Sequence, residues 1–141
     1  MQHNLNRFII AQEHFFEQAL AEIQAGKKRR HWMWFIFPQY MNLGRSSTSR
    51  EFAIKSKEEA IAYFNHPILG KRLEEITTHF YHLKGKSAFS ILGYPDNKKM
   101  QSCMTLFESI SIKNSIFTKV LEKYFDGRRC QPTLDYLNSP N

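Results

Sequence analysis

Apolar residues recur at three- and four-residue steps along most of this chain, a pattern that predicts a succession of helices. Leu5, Phe8, Ile9, Gln12, Phe15, Phe16, Ala19, Leu20 and Ile23 mark the first. Asn4 or Asn6 is placed to cap its start, and Gly26 to end it in the left-handed conformation. Trp32-Met33-Trp34-Phe35-Ile36-Phe37-Pro38 breaks the period with a continuous apolar run. No second strand is present to pair with it, so it reads as a buried helix stopping near Pro38. Gln39 to Ser46 then forms a loop with Gly44 as its flexible point.

A short helix is expected around Ser49 to Ile54. Ser56-Lys57-Glu58-Glu59 has the spacing of a capping box, opening a helix to about Asn65 with Ala60, Ile61 and Phe64 inward. Pro67 suits the first position of the next helix, where Leu69, Leu73, Ile76, Phe80 and Leu83 alternate steps of four and three. Ser87 to Leu92 is one helical turn ending at Gly93. Asp96 is the expected cap of a helix carrying Met100, Cys103, Met104, Phe107 and Ile110. Asn114 is that of a helix carrying Phe117, Val120, Leu121, Tyr124 and Phe125. Pro132 opens a last short helix with Leu134 and Leu137. The chain is therefore expected to be all-α: one domain over residues 1–141, core about 5–137, with roughly six to eight short and medium helices around the aromatic segment.

Composition adds charge to this picture. Lys and Arg outnumber Asp and Glu by 20 to 13, a net charge of +7 that favours anionic partners when it is concentrated at a site. The densest run, Lys27 to Arg30, follows the predicted end of the first helix, where the helix dipole also favours cations. The two cysteines, Cys103 and Cys130, are far apart and fit a reduced, cytoplasmic setting, with Cys103 in the core. The N-terminus lacks the uninterrupted apolar stretch of a signal peptide, and the aromatic run is too short to span a bilayer.

Familiar chemical motifs are missing. The sequence contains no Gly-rich nucleotide loop, no His-Glu-x-x-His, no zinc-type cysteine pair and no nucleophile elbow, so no cofactor or metal is expected. His79 and His82 share a helix face, which is more simply a solvated or packed surface than a metal pair.

Several long stretches resemble a bacterial family of small all-helical proteins of unknown function, whose members often carry the label calpastatin. They are Trp32 to Gln39, Leu43 to Ser46, Phe52 to Ile54, Glu59-Ala60, His66 to Leu73 and Asp96 to Phe107. The resemblance implies an all-α fold and brings no established activity. Cys103 departs from it, since members commonly carry Ser or another small residue there.

Polar residues inside these apolar words are the candidate ligand-binding residues: Trp32, Trp34, Gln39, Arg45, Ser46, Arg72, Lys99 and Ser102. Lys99 with the start of its helix can bind an anion, Arg45 and Arg72 can fork onto phosphate or carboxylate, and either indole can stack on a base. Asp96 is the candidate acid–base group should the ligand be turned over. Three functions follow. The first is a pocket, enzymatic or not, for a small phosphorylated or nucleotide-like ligand. The second is a basic module for nucleic acid or an acidic protein, less favoured because no helix-turn-helix or basic-aromatic signature supports it. The third is an interaction protein without a ligand.

Overall fold

The computed structural model describes residues 3–40 and 46–139. Among them the chain forms nine helices and no strand: α1 (Asn6–Gln24), α2 (Met33–Ile36), α3 (Ser47–Glu51), α4 (Lys57–Asn65), α5 (Leu69–His82), α6 (Ala88–Leu92), α7 (Asp96–Glu108), α8 (Ile116–Phe125) and α9 (Gln131–Leu137). The all-α expectation holds. The count slightly exceeds the expected range because α2, α3 and α6 are only one turn or little more.

α5 is central. It packs against α1, α4 and α8, while α7 packs against α4, α6, α8 and α9. The stripe Leu69, Leu73, Ile76 and Phe80 is buried as its period requires. Between Ser102 and Phe107 α7 is buried on every side, polar residues included, so it runs through the interior instead of lying on it. Rings thread the core from α1 and α2 to α8. Phe15 meets Phe35, Phe35 meets Phe52, Phe52 meets Phe8, and Phe8 meets Tyr63 edge-on at 5.0 Å; Phe107 and Phe117 continue the line.

The aromatic segment is indeed the buried centre: Trp32 and Phe37 have no exposure and Ile36 almost none. It holds only one helical turn, however. Around that turn the backbone is irregular, and Tyr40 makes an isolated parallel bridge with Ile54. Pro38 lacks an N–H and disfavours helical backbone before it, which stops the turn at once.

Several ends differ from expectation. Leu5, not an asparagine, precedes α1, with no side-chain cap. Ser115, not Asn114, caps α8, Asn114 taking a positive φ of 60° instead. The Ser56 hydroxyl accepts from the Glu59 N–H as a capping box demands, but the Glu59 carboxylate reaches one residue further back, to the Lys55 N–H, and binds Arg7. That turns α4 so that Glu59 and Tyr63 join Ala60 inside, and Ile61 is 40% exposed. At α5 the His66 ring caps the first turn, its Nδ1 accepting from the N–H groups of Ile68 and Leu69. In α9 the buried residue is Thr133; Leu134 and Leu137 are only partly covered. No helix among the described residues is long and apolar enough to cross a membrane.

Candidate functional site

The residues singled out from the sequence separate into groups. The most connected group lies where the α1–α2 segment meets the start of α7. Gly26, with φ +78°, turns the chain out of α1, and the Lys28 N–H donates to the Ile91 carbonyl, fastening the segment to α6. Glu22 anchors it from below. Oε1 accepts the backbone N–H groups of Arg29 (2.7 Å) and Arg30 (3.1 Å) and the Trp32 indole N–H (2.9 Å), while Oε2 accepts from the Arg30 guanidinium at 2.8 Å. Burial pushes the Glu22 carboxyl up, but these donors outweigh it and hold it down at about 2.

The Lys28 ammonium, on a side chain only 8% exposed, pairs with Asp96 Oδ2 at 2.7 Å and lies 5.1 Å from the centre of the Trp32 ring. The other Asp96 oxygen pairs with Lys99 at 3.1 Å. Lys99 in turn places its ammonium 3.8 Å from the centre of the half-buried Trp34 ring, a close cation–π contact. A continuous line of contacts thus runs from Glu22 through Trp32, Lys28, Asp96 and Lys99 to Trp34. Along it, Lys28, Arg30 and Lys99 face two carboxylates, Glu22 and Asp96.

The start of α7 does not behave as the sequence suggests. Asp96 makes no cap; Pro95 precedes the helix. The N–H of Asn97 donates to the Gly93 carbonyl, and those of Lys98 and Lys99 to Pro95, so these amides are already engaged. Lys99 is bound to Asp96 and Trp34 instead of being solvated.

A second group surrounds Arg72, whose Nη1 lies 3.4 Å from Gln12 Oε1 and whose guanidinium carbon is 5.3 Å from the Phe16 ring centre. The Gln12 amide donates to the Phe35 carbonyl (2.8 Å) and the Tyr63 hydroxyl (2.9 Å). Tyr63 is fully buried, and that burial drives its phenol upward, so the hydroxyl stays protonated. Ser102 belongs to neither group: its hydroxyl shares a buried 3.0 Å hydrogen bond with Thr133, joining α7 to α9. Ser46 caps α3 by accepting from the Ser49 N–H. Gln39 is 4% exposed, and its Nε2 has no partner among the described residues. Arg45 lies outside the described residues. Cys103 is a core thiol, pushed well up by burial. Among the described residues no three His, Cys, Asp or Glu side chains gather as metal ligands would.

Trp32, Trp34, Asp96 and Lys99 therefore meet in one cluster, and Arg72 stands in another. Sequence reasoning missed Lys28, Glu22 and Gln12. Gln12 carried a signal, being a polar residue on the apolar stripe of α1. Glu22 and Lys28 carried none, because each becomes distinctive only when the chain reverses at Gly26.

Residues 2–137 match a family model described as a protein of unknown function (DUF1810). The crystal structure of the conserved hypothetical protein Rv1873 from Mycobacterium tuberculosis is similar, with a TM-score of 0.94 and 40% sequence identity over 96% of this chain and 97% of that one. No curated protein matches the chain.

Proposed function

The chain belongs to the DUF1810 family of proteins of unknown function, and we propose from its own residues that it binds a small phosphorylated or nucleotide-like anion at the Lys28, Asp96, Lys99 and Trp34 cluster. One observation carries the reading. Two ammonium groups on side chains only 8% and 19% exposed share a single carboxylate, and one of them rests on a half-buried indole. Shielding charge from water is costly unless it is balanced, and an incoming anion balances it. The half-buried Trp34 ring, one face of which carries the Lys99 ammonium, would offer a base or sugar its remaining exposed part next to the charge.

The same contacts weigh against a nucleic-acid module. A phosphate backbone is held by solvent-facing cations in a row. Here Lys28 is committed to Asp96, Arg30 to Glu22, and Arg129 to Glu108, so the basic runs are partly spent internally. In this reading Asp96, with an ammonium on each oxygen, serves as a counter-ion and not as an acid–base group.

Thermal denaturation with nucleotides, NAD, ADP-ribose, sugar phosphates and inorganic phosphate tests the proposal. A true ligand at a hundred times its Kd adds about 2.7 kcal/mol, a rise in Tm of several degrees. Lys99→Met is expected to remove that rise. If no member of the panel stabilises the wild-type protein, the proposal fails. A steep salt dependence of binding to single- or double-stranded nucleic acid would favour the module instead.

A further inference from the structure

We infer that Asp96 occupies the position of the ligand's own charged group and so sets the site's selectivity, admitting phosphate-type polyanions and excluding simple carboxylates. The inference rests on the binding proposal above and deepens it. Asp96 arises from the first turn of α7, while one of its two cations, Lys28, comes from the α1–α2 segment. Its oxygens are divided between them, Oδ2 to Lys28 and Oδ1 to Lys99. All three side chains are at most 19% exposed, so solvent screens their interaction weakly.

A carboxylate tethered in place competes with a free one at a large effective concentration. A monoanionic carboxylate ligand offers the two ammoniums nothing that Asp96 does not already supply. A phosphate or pyrophosphate brings more charge and more acceptor oxygens, and can share or displace Asp96. Lys99 has a second contact besides Asp96, since its ammonium also lies 3.8 Å from the centre of the Trp34 ring. Glu22, at the other end of the cluster, is excluded from the exchange by the four donors that saturate it.

The test titrates the wild-type protein, Asp96→Asn and Asp96→Ser with sodium pyrophosphate and with sodium acetate at matched ionic strength. Tryptophan fluorescence reports binding, and a melting curve on each variant reports folding. Pyrophosphate is expected to change the wild-type emission and acetate to leave it unchanged. Each folded neutral variant is expected to bind pyrophosphate about fivefold more tightly or better, since a like charge has been removed from beside the anion, and to gain a response to acetate. If the wild-type protein binds pyrophosphate and the folded neutral variants bind it no tighter, Asp96 is a positioning group and this inference fails alone. The same holds if wild-type responds equally to acetate. If the wild-type protein does not respond to pyrophosphate, the binding proposal falls and this inference with it.

Discussion

Gly70→Ala is expected to destabilise the protein by about 3 kcal/mol or more, lowering Tm by roughly 10 °C. On an isolated helix the change would be favourable by about 1 kcal/mol, because alanine is the better helix former. Here the start of α5 is pressed against the end of α4. A Cβ at position 70 would stand 1.9 Å from the Phe64 carbonyl oxygen and 2.8 Å from its carbon, both backbone atoms. A backbone carbonyl cannot swing aside as a side chain can, so one helix must move. Both are anchored: Tyr63 and Leu69 are fully buried, and the Phe64 ring packs on Phe117. Gly85→Ala is the control. It meets nothing within 4 Å, and its φ of +70° imposes only the left-handed penalty of about 1–2 kcal/mol. Urea denaturation of both variants compares them directly. A Gly70→Ala midpoint within error of wild type would mean that the crossing of α4 and α5 relaxes freely.

This close approach was invisible in the sequence, where Gly70 is one glycine inside a clearly periodic helix, beside its apolar stripe, and the reason is general to the chain. Elements whose burial is set by local period were legible: α1, α5, α7 and α8 appear where three- and four-residue spacing puts them. What depends on two elements meeting was not. The inward face of α4 differs because Glu59 pairs with Arg7, a residue 52 positions away, and is itself buried together with Tyr63. Thr133 is buried in place of the α9 leucines because Ser102 on α7 offers it a hydroxyl. In the aromatic run, composition announced burial correctly but could not give its shape, since a run apolar on every side has no period to read.

The candidate site follows the same division. Trp34, Asp96 and Lys99 were singled out because polar or amphipathic residues interrupt apolar words, and they do lie together. Their partner Lys28 sat in a run of four cations with nothing to distinguish it from its neighbours. Only the turn at Gly26 separates it, sending Lys28 inward to Asp96 while Arg30 is left 56% exposed.

Replacing Glu22 tests the foundation of that arrangement, and its effect is expected to depend on pH in a defined direction. The Glu22 carboxyl lies at about 2 in the folded protein against 4.5 for an ordinary glutamate. A group whose pKa is depressed by folding contributes its full stability above the unfolded value and loses it as pH falls through the folded one. Its contribution is therefore complete at pH 7 and is lost progressively from about pH 5 down to about pH 2. Its size is roughly 2–3 kcal/mol, since one of its four donors, the Arg30 guanidinium, is half exposed and screened. Glu22→Gln keeps an oxygen for the backbone donors but turns an N–H2 toward Arg30 and removes the charge. It is expected to lose about 2 kcal/mol at pH 7 and to lie close to wild type near pH 2. Glu22→Ala is expected to lose more, because it strands the Trp32 indole N–H in a position with no solvent exposure. Urea midpoints at pH 7, 5, 4 and 3 follow the convergence. Wild-type and Glu22→Gln curves that run parallel across this range would mean that the charge on Glu22 contributes nothing, and that the Lys28 contacts with Ile91 and Asp96 hold the α1–α2 turn without it.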